Sequence, residues 1–503
     1  MSESSKLNLT RRSFILGGAA GLVGAGATAA LSGCNHKKGA GNGDGNGAIF
    51  AAFGYQAPQI NPAGNTTVLG RSTFWHISEG LYNIDFHTFK TYNGLAAMSP
   101  TKVNDYTYDV ILRDGAKFSN GEDVKPEDVI NSFKVNMTND VFAPLLDFIK
   151  DINPKDSKTL TFTLKYPFEN LIEQRLALVF VWPASQPESE YKSKPIGSGP
   201  WMLKSFDGSN GGKVEFEKNP YYNGKFEVAG ESMTWNVLLD NTSRITAVQE
   251  KTAQAIESVP ELNAGQIQSS GATVSFEQGF SCAYLMFNTL KAPFNDKRVR
   301  QAFHYAINKQ NLIDVQLDGK ATPATSLLPK NHQNYHKTST VFDYDVDKAK
   351  SLLKEAGAEG VSCKLTVDTN WVKNLGPQIQ SDLKAAGINA ELDVQTINWS
   401  SYNESNTEQP FDVMVAPGDP SQIGNDADLI MSFWYGDNVW MKGRSCWKKS
   451  DPGKYAELAD LMQRARESSS SSTQQTLWNQ CFDIIAENCP LFPMFHRELG
   501  TAY

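Results

Sequence analysis

Hydrophobic and polar positions follow two different periods along this chain. Residues 106–112 (YTYDVIL) alternate between apolar and polar side chains, which predicts a strand with one buried face. Behind Asp296, apolar residues recur at the spacing i, i+3, i+4, i+7 and i+8, which predicts a capped helix with one buried face. These residues are Val299, Ala302, Phe303, Ala306 and Ile307. Both periods in one chain predict the α/β fold class.

The clearest α/β pattern lies between residues 363 and 420. A strand at Cys363–Asp368, a helix at Leu375–Ala386 and a strand at Ala390–Ile397 predict a βαβ unit, in which a right-handed crossover joins two parallel strands. A further strand at Phe411–Val415 leads into the sequence Pro417-Gly418-Asp419-Pro420. Ligands of open α/β sheets bind at loops that follow strand C-termini, so this loop is a candidate binding site.

Composition and charge exclude several classes of protein. The chain has 503 residues, with 47 Lys and Arg against 55 Asp and Glu, which gives a formal net charge of −8. Because no basic patch interrupts this acidic balance, no nucleic acid is expected as a partner. Hydrophobic residues make up 40% of the chain, which is typical of a globular protein. The chain has no second apolar run of about 18 residues, so repeated membrane spans are not expected.

The N-terminal residues predict export and a lipid anchor rather than part of the fold. Thr10–Leu16 contains a twin-arginine pattern, and Leu31–Cys34 (LSGC) resembles a bacterial lipobox. We therefore expect residues 1–33 to be a Tat-like lipoprotein signal peptide, with Sec export and an uncleaved signal anchor as alternatives. Cys34 is the predicted lipidation site, and the Gly- and Asn-rich residues 34–47 are the predicted flexible tether. The expected location is the extracytoplasmic face of the cell membrane.

Five cysteines follow Cys34, and an odd number outside the cytoplasm leaves at least one thiol free or intermolecular. Cys481 and Cys489 lie in one predicted helix, roughly 12 Å apart, which is too far to bridge each other. The sequence does not decide whether Cys446 forms a disulfide with either of them. No CxxC sequence occurs, which disfavours a thiol redox motif or a thiolate zinc site.

The residues contain no catalytic constellation. No HExxH, G-x-S-x-G or Walker sequence occurs and the seven histidines are scattered, so neither a metal ion nor a cofactor is expected. A secreted hydrolase is therefore only a remote alternative. Several tryptophans lie in polar or Gly-rich surroundings, where indole faces can line a cleft and stack on apolar or sugar ligands. They are Trp371, Trp399, Trp434, Trp440 and Trp447.

Four blocks of sequence carry a resemblance to a known family. They are Ser78–Asp85 (SEGLYNID), Asp109–Lys134 (DVILRDGAKFSNGEDVKPEDVINSFK), Ile196–Asp207 (IGSGPWMLKSFD) with Lys213–Lys225 (KVEFEKNPYYNGK), and Phe294–Asp314 (FNDKRVRQAFHYAINKQNLID). In this order the blocks are similar to those of the family 5 extracellular solute-binding proteins of bacterial ABC importers, the dipeptide- and oligopeptide-binding group. The blocks extend from residue 78 to residue 314.

The resemblance implies a periplasmic-binding-protein-like α/β fold of three lobes, with two α/β lobes, a hinge and an extra lobe. Lobe I would comprise residues 48–75, 195–280 and 490–503, lobe II residues 76–194, and lobe III residues 281–489. Strands near residues 190–200 and 276–288 would form the hinge, and the ligand would be enclosed between lobes I and III. Family members usually continue for some tens of residues beyond the segment that here reads Pro490–His496 (PLFPMFH).

The resemblance also implies part of a binding site. In peptide-binding members an Asp after a strand of lobe III pairs with the ligand's α-ammonium group, and the matching residue here is Asp419. Trp399 matches an aromatic residue of the cleft, and Phe142 lies near a position that lines the pocket. The candidate ligand-binding residues are Asp419, Gly418, Trp399, Tyr402, Trp434, Phe142, Thr66, Thr67 and Val68.

One departure from the family pattern bears on the ligand. Dipeptide-specific members use an Arg for the ligand carboxylate in the segment that here reads Asp368–Lys373 (DTNWVK), and Lys373 is a poorer bidentate partner. A peptide longer than a dipeptide is therefore expected. The expected function is capture of peptides by a lipid-anchored monomer that delivers them to an ABC permease without any catalytic step. An oligosaccharide-binding protein of the same family is the alternative, which the Trp-rich lobe III keeps open.

Overall fold

The computed structural model describes residues 47–503, with the exception of residues 66, 87, 140, 398, 403–409 and 422–423. The predicted signal peptide, the lipidation site Cys34 and the candidate residue Thr66 therefore lie outside the described residues. Within the described ranges, no helix is both long enough and apolar enough to cross a membrane.

Strands and helices alternate along the described chain. The strands are β1 (Ala48–Phe53), β2 (Tyr82–Asp85), β3 (Lys90–Asn93), β4 (Thr101–Asn104), β5 (Thr107–Ile111), β6 (Ile149–Pro154), β7 (Thr159–Leu164), β8 (Trp201–Phe206), β9 (Lys213–Lys218), β10 (Ser232–Val237), β11 (Ala255–Glu257), β12 (Val274–Phe287), β13 (Ala321–Pro323), β14 (Ser362–Asp368), β15 (Asn389–Gln395), β16 (Val413–Gly418) and β17 (Leu491–Ala502). The helices are α1 (Val68–Ile77), α2 (Pro126–Met137), α3 (Ala143–Leu146), α4 (Ile172–Leu176), α5 (Glu188–Tyr191), α6 (Asn241–Gln249), α7 (Ala264–Ser269), α8 (Lys297–Ala306), α9 (Lys309–Gln316), α10 (Val346–Glu355), α11 (Gly376–Ala385), α12 (Ala427–Tyr435), α13 (Trp447–Ser450), α14 (Pro452–Glu467) and α15 (Ser471–Asn488).

The described chain divides into two compact units. The first unit contains the residues up to Lys165 together with Ile172–Glu277 and Leu499–Tyr503, and the second contains Tyr166–Leu171 and Gln278–Glu498. The chain passes from one unit to the other inside β12 and again inside β17. Of the two segments expected to form a hinge, residues 276–288 contain such a crossing, whereas residues 190–200 lie wholly within the first unit.

In the first unit, β1 lies inside an open sheet with the strand order β11-β1-β10-β9-β8. It pairs in parallel with β10 and β11, while β9 is antiparallel to β8 and β10. The core of this sheet contains Trp235, whose ring centroid lies 4.5 Å from those of Phe53 and Phe216. A separate antiparallel sheet, β4-β5-β7-β6, falls within the residues assigned to lobe II. The three-lobe division stays a prediction.

In the second unit the strand order is β15-β14-β16-β12-β17, and β13 pairs with β17. Parallel pairing of β14 with β15, from Ser362 opposite Asn389 onward, confirms the predicted βαβ unit. β14 is also parallel to β16, so both strands end at the same edge of the sheet. The strand predicted at Phe411–Val415 instead spans Val413–Gly418, because its ladder with β12 extends to Gly418 opposite Cys282.

The helix predicted behind Asp296 is confirmed as α8. Oδ1 of Asp296 accepts a hydrogen bond from the backbone N of Arg298 at 2.8 Å, which caps the first turn. The predicted apolar face of α8 is buried in the core of the second unit, together with side chains of β14, α11 and β16. The period of the sequence therefore determines which face of this helix points inward.

The five cysteines after Cys34 are all buried, and none of them forms a disulfide within the described part of the chain. The disulfide left open between Cys446 and Cys481 or Cys489 is therefore not formed. The thiol of Cys446 instead lies 3.5 Å from the backbone oxygen of Gly443, and burial raises the pKa of the Cys489 thiol to about 12. These thiols behave as small core side chains.

Candidate functional site

Asp419 is the first residue after β16, at the carboxyl edge of the sheet in the second unit. Its Oδ1 accepts hydrogen bonds from the backbone N of Ser421 at 2.9 Å and from the Ser421 hydroxyl at 2.6 Å. Among the described residues, the other oxygen, Oδ2, has no hydrogen-bond partner. Burial raises the pKa of this carboxyl group in spite of the bonds from Ser421. Asp419 is therefore a turn residue whose Oδ1 is held by Ser421, and its contact with a ligand stays a prediction.

A second carboxyl group lies at the same edge. Asp368 ends β14, which is parallel to β16, and burial raises the pKa of its carboxyl group as well. Next to β16, the Cys282 thiol on β12 has a pKa raised by burial and by the negative charge of Asp419. Both carboxyl groups are thus partly buried, and a cation bound beside them would favour their charged form.

Gly418 leaves room for two aromatic rings. A Cβ atom at this position would lie 2.7 Å from Cζ2 of Trp434 and 2.9 Å from Cε1 of Tyr284. Both distances are shorter than a normal contact between carbon atoms. Gly418 therefore contributes to the site through the absence of a side chain, which lets the two rings approach the backbone just before Asp419.

We expect Gly418→Ala to destabilise the protein by about 1–3 kcal/mol, because the added methyl group must displace rings that are themselves enclosed. Unfolding in urea, followed by tryptophan fluorescence, measures the change. The matched control is Gly453→Ala in α14, where the added Cβ would meet only Asp451 Oδ1 at 4.0 Å. The control should be neutral or slightly stabilising. An equal effect of the two variants would show that the rings do not enforce glycine at position 418.

Trp434 is a core residue in this structure. It is 1% exposed, and its ring lies edge-on to Tyr284 with 5.5 Å between the ring centroids. Within the described chain its Nε1 atom has no hydrogen-bond partner. Because its ring packs against the backbone at Gly418, Trp434 is suited to support the loop that begins at Asp419. Direct contact of Trp434 with a ligand stays a prediction.

Trp399 and Tyr402 belong to an aromatic cluster that also contains Trp440 and Arg444. The ring centroid of Trp399 lies 6.0 Å from that of Tyr402 and 5.4 Å from that of Trp440. The guanidinium carbon of Arg444 lies 3.9 Å from the ring centroid of Trp440 and 4.6 Å from that of Trp399. Burial lowers the pKa of Arg444 to about 10. The guanidinium group of Arg444 therefore lies against one face of each of these two indole rings.

Sequence reasoning missed Arg444, although one signal was present. Arg444 follows Trp440 by four residues, and this spacing brings side chains together on a helical turn. Arg497 on β17 lies with its guanidinium carbon 4.5 Å from the ring centroid of Trp371. The two residues are far apart in the sequence, so no local pattern predicts this contact. Lys373, the predicted weaker partner for a carboxylate, is exposed.

In the first unit, Thr67 and Val68 lie at the start of α1, and Phe142 lies near Arg71 of the same helix. Thr67 caps this helix, since its Oγ1 accepts a hydrogen bond from Gly70 N at 3.3 Å. Val68 is the first helical residue, and Phe142 is fully buried. The guanidinium carbon of Arg71 lies 5.8 Å from the Phe142 ring centroid. Neither a motif nor a periodic pattern in the sequence indicates this arginine.

The described part of the chain contains no group of three or more His, Cys, Asp and Glu side chains that could hold a metal ion. His332, one member of the histidine pair in residues 332–336, uses Nε2 to contact the backbone oxygen of Asn425 at 2.8 Å. Burial lowers its pKa, as expected for a neutral core histidine.

Comparison with known proteins identifies the family. The family model described as "Bacterial extracellular solute-binding proteins, family 5 Middle" matches residues 90–441. The chain belongs to family 5 of these solute-binding proteins. It is similar to the glutathione-binding protein GsiB of Shigella dysenteriae serotype 1, with 24% identity over 476 residues that cover 90% of each chain.

Solved structures of this fold hold different ligands. DppA from Helicobacter pylori, in complex with peptide STSA, aligns with a TM-score of 0.79 at 20% identity over 91% of this chain and 94% of that chain. NikA from Staphylococcus aureus, in complex with Ni(L-His)2, aligns with a TM-score of 0.76 at 20% identity over 91% of this chain and 95% of that chain. The predicted fold class, that of the periplasmic solute-binding proteins, is confirmed.

Membership of family 5 decides whether this chain is an enzyme or a binding protein. The relatives and structural neighbours are substrate-binding proteins rather than enzymes, so the remote hydrolase alternative is set aside and this chain is a solute-binding protein of an ABC importer. An extracellular family also implies an extracytoplasmic location. The lipid anchor on Cys34 and the monomeric state stay predictions.

Proposed function

We propose that this family 5 protein captures peptides at the outer face of the cell membrane and delivers them to the permease of an ABC importer. Asp419 carries the proposal, because its Oδ2 atom, unpartnered among the described residues, offers a charge-assisted hydrogen bond to a peptide's α-ammonium group. A poorly solvated carboxylate gains more from this bond than an exposed one, since water competes less. The DppA neighbour with its bound peptide supports the choice of ligand class.

The aromatic residues favour a peptide over an oligosaccharide. Trp434 and Trp447 are buried, so their faces are covered by protein. Trp399 and Trp440 are partly exposed, but both already pack against Arg444. Glutathione, for which the GsiB relatives are named, carries an ammonium group and two carboxylates. The ammonium group suits the carboxyl groups of Asp419 and Asp368 better than a neutral sugar does.

Lipid on Cys34 and the tether of residues 34–47 belong to the same proposal. A flexible tether of about a dozen residues would keep the binding protein close to the permease without fixing its orientation. No bond is made or broken in this scheme. Ligand binding only shifts the population toward the state that it contacts best.

Native mass spectrometry of the protein purified without its leader tests the ligand class. We expect adducts whose mass differences equal those of amino-acid residues, because a peptide-binding protein carries host peptides through purification. Adducts spaced by hexose units would overturn the peptide proposal in favour of the oligosaccharide alternative. If the protein is free of ligand, calorimetry with peptide STSA and with maltotetraose replaces the adducts, and binding of the sugar alone would have the same consequence.

A further inference from the structure

An open cavity of about 880 Å³ lies in the second unit, at the edge of the sheet where β14 and β15 begin. Asp419 follows β16 at the opposite edge, because the three strands run in parallel. Since β14 has seven residues, its ends are about 20 Å apart, and a small molecule in the cavity would not reach Asp419. The volume falls within the range of small-molecule sites, so the cavity is a second candidate site.

One side of α11 forms a wall of this cavity. Four of its side chains line the cavity, and their spacing of three and four residues places them on the same side of the helix. They are Pro377, Gln380, Ser381 and Lys384. Nε2 of Gln380 donates a hydrogen bond to the backbone oxygen of Ala390 at 2.8 Å, which ties the helix to β15. This wall is therefore held in place from within the second unit.

The charges at the start of β14 and β16 are already paired. Oδ1 of Asp412 accepts a hydrogen bond from Nζ of Lys291 at 2.5 Å, and its Oδ2 accepts one from the backbone N of Lys364 at 2.9 Å. Nζ of Lys364 lies 2.9 Å from Oδ2 of Asp393. The charges of these four side chains are therefore compensated within the protein.

Two other charges that line the cavity have no such partner. The side chains of Lys384 on α11 and Glu391 on β15 form no ion pair or hydrogen bond with each other or with any other described residue. Ser362 and Ser381 also line the cavity, and their hydroxyl groups have no partner within the described chain either. The cavity thus offers a cation, an anion and hydroxyl groups from separate elements of one unit.

We propose that this cavity binds a small zwitterion, whose carboxylate group pairs with Lys384 and whose ammonium group pairs with Glu391. A simple anion would pair with Lys384 but would meet the like charge of Glu391, and a simple cation would meet that of Lys384. A neutral molecule would leave both charges unpaired. Free amino acids and short peptides carry both groups. The inference goes beyond the proposed capture of peptides, because it involves none of the residues around Asp419.

Saturation-transfer NMR titrations with glycylglycine, in the presence of saturating STSA, test the proposal. Capping either end of glycylglycine, as the N-acetyl or the amide form, should weaken binding to the wild type by about 2- to 5-fold, the range of an ion pair at an open site. Glu391→Gln should lose the preference for the free ammonium group and keep that for the free carboxylate. Lys384→Met should show the reverse, so each variant is the control for the other.

Both side chains are exposed, so the two variants should fold with the urea midpoint of the wild type. Lys354→Met, at an exposed lysine in the last turn of α10, is the matched control and should keep both preferences. Preferences that survive in both cavity variants would overturn the proposal, and so would a lack of binding at about 50 mM glycylglycine. If STSA does not bind, the proposed function fails, whereas the same titrations without STSA still decide whether Lys384 and Glu391 each recognise one end of glycylglycine.

Discussion

Asp419→Asn should weaken binding of peptide STSA by about 30- to 700-fold, which corresponds to about 2–4 kcal/mol. The substitution keeps the size of the side chain and the acceptor for Ser421, whose backbone N and hydroxyl donate at 2.9 and 2.6 Å. What it removes is the negative charge that opposes the ligand's ammonium group. In a poorly solvated setting, the ammonium group then loses water without gaining a charged partner, and the affinity falls.

Two matched measurements show whether the loss comes from this bond. N-acetylated STSA has no ammonium group, so wild type and Asp419→Asn should bind it with equal affinity. Asp368→Asn is the control variant, because Asp368 ends the neighbouring parallel strand and also has a pKa raised by burial. A large loss in Asp368→Asn with none in Asp419→Asn would assign the ammonium group to the other carboxylate. A loss that persists with the acetylated peptide would argue against an ionic bond altogether.

The same bond predicts a pH dependence whose sign follows from the raised pKa. Without ligand, burial holds the pKa of Asp419 above its ordinary value, whereas a bound ammonium group lowers it. Binding therefore releases a proton at acidic pH, and affinity should rise with pH through the raised pKa and level off above it. Asp419→Asn should lack this rise. A pH profile shared by the variant and the wild type would place the titrating group elsewhere.

The sequence was sufficient where a local period or cap decides the structure. The buried face of α8 and the parallel pair β14 and β15 follow from spacing alone, because each depends on which side of one element is apolar. The end of β16 was misplaced, since the position where a strand stops depends on its partner. Here the partner β12 continues the ladder to Cys282 opposite Gly418. The candidate Asp419 was found nonetheless, because it follows this strand under either boundary.

The remaining parts of the candidate site depend on contacts between distant segments. Arg71 and Phe180 are far apart in sequence, yet the guanidinium carbon lies 4.5 Å from the ring centroid of Phe180. Neither residue shows a periodic or motif-like signal that would predict this pair. The same holds for Gly418 and Trp434, where the need for glycine appears only when the ring is seen against the backbone. Sequence patterns predict elements and their faces, whereas tertiary packing selects the neighbours.

Asp428→Asn should cost about 3–5 kcal/mol of stability, because it removes the buried carboxylate to which Arg466 donates its hydrogen bonds. The side chain of Asp428 is 0% exposed and that of Arg466 is 18% exposed. Nε of Arg466 donates to Oδ1 of Asp428 at 2.9 Å and to Oδ2 at 3.0 Å, and Nη2 donates to the Ser432 hydroxyl at 2.9 Å. Urea unfolding of the variant should show a lower transition midpoint.

A second ion pair on α14 provides the matched control for this prediction. Arg464 and Asp460 lie 3.4 Å apart with side chains 59% and 64% exposed, so Asp460→Asn should cost no more than about 0.5 kcal/mol. The double variant Asp428→Leu with Arg466→Met should recover most of the loss, since no charge is then left unpaired. Equal costs for Asp428→Asn and Asp460→Asn would contradict the role of burial.

The Asp428–Arg466 pair also connects stability to ligand binding. Asp428 lies in the first turn of α12 and Arg466 near the end of α14, so the pair fixes one helix against the other. The same α12 carries Trp434, whose ring lies against the backbone at Gly418, directly before Asp419. If this packing orients the carboxylate of Asp419, Asp428→Asn should also weaken binding of STSA under conditions where the variant is folded, whereas Asp460→Asn should not. A folded Asp428→Asn protein with wild-type affinity would show that the Asp419 turn is held by Ser421 and its own strand, independently of α12.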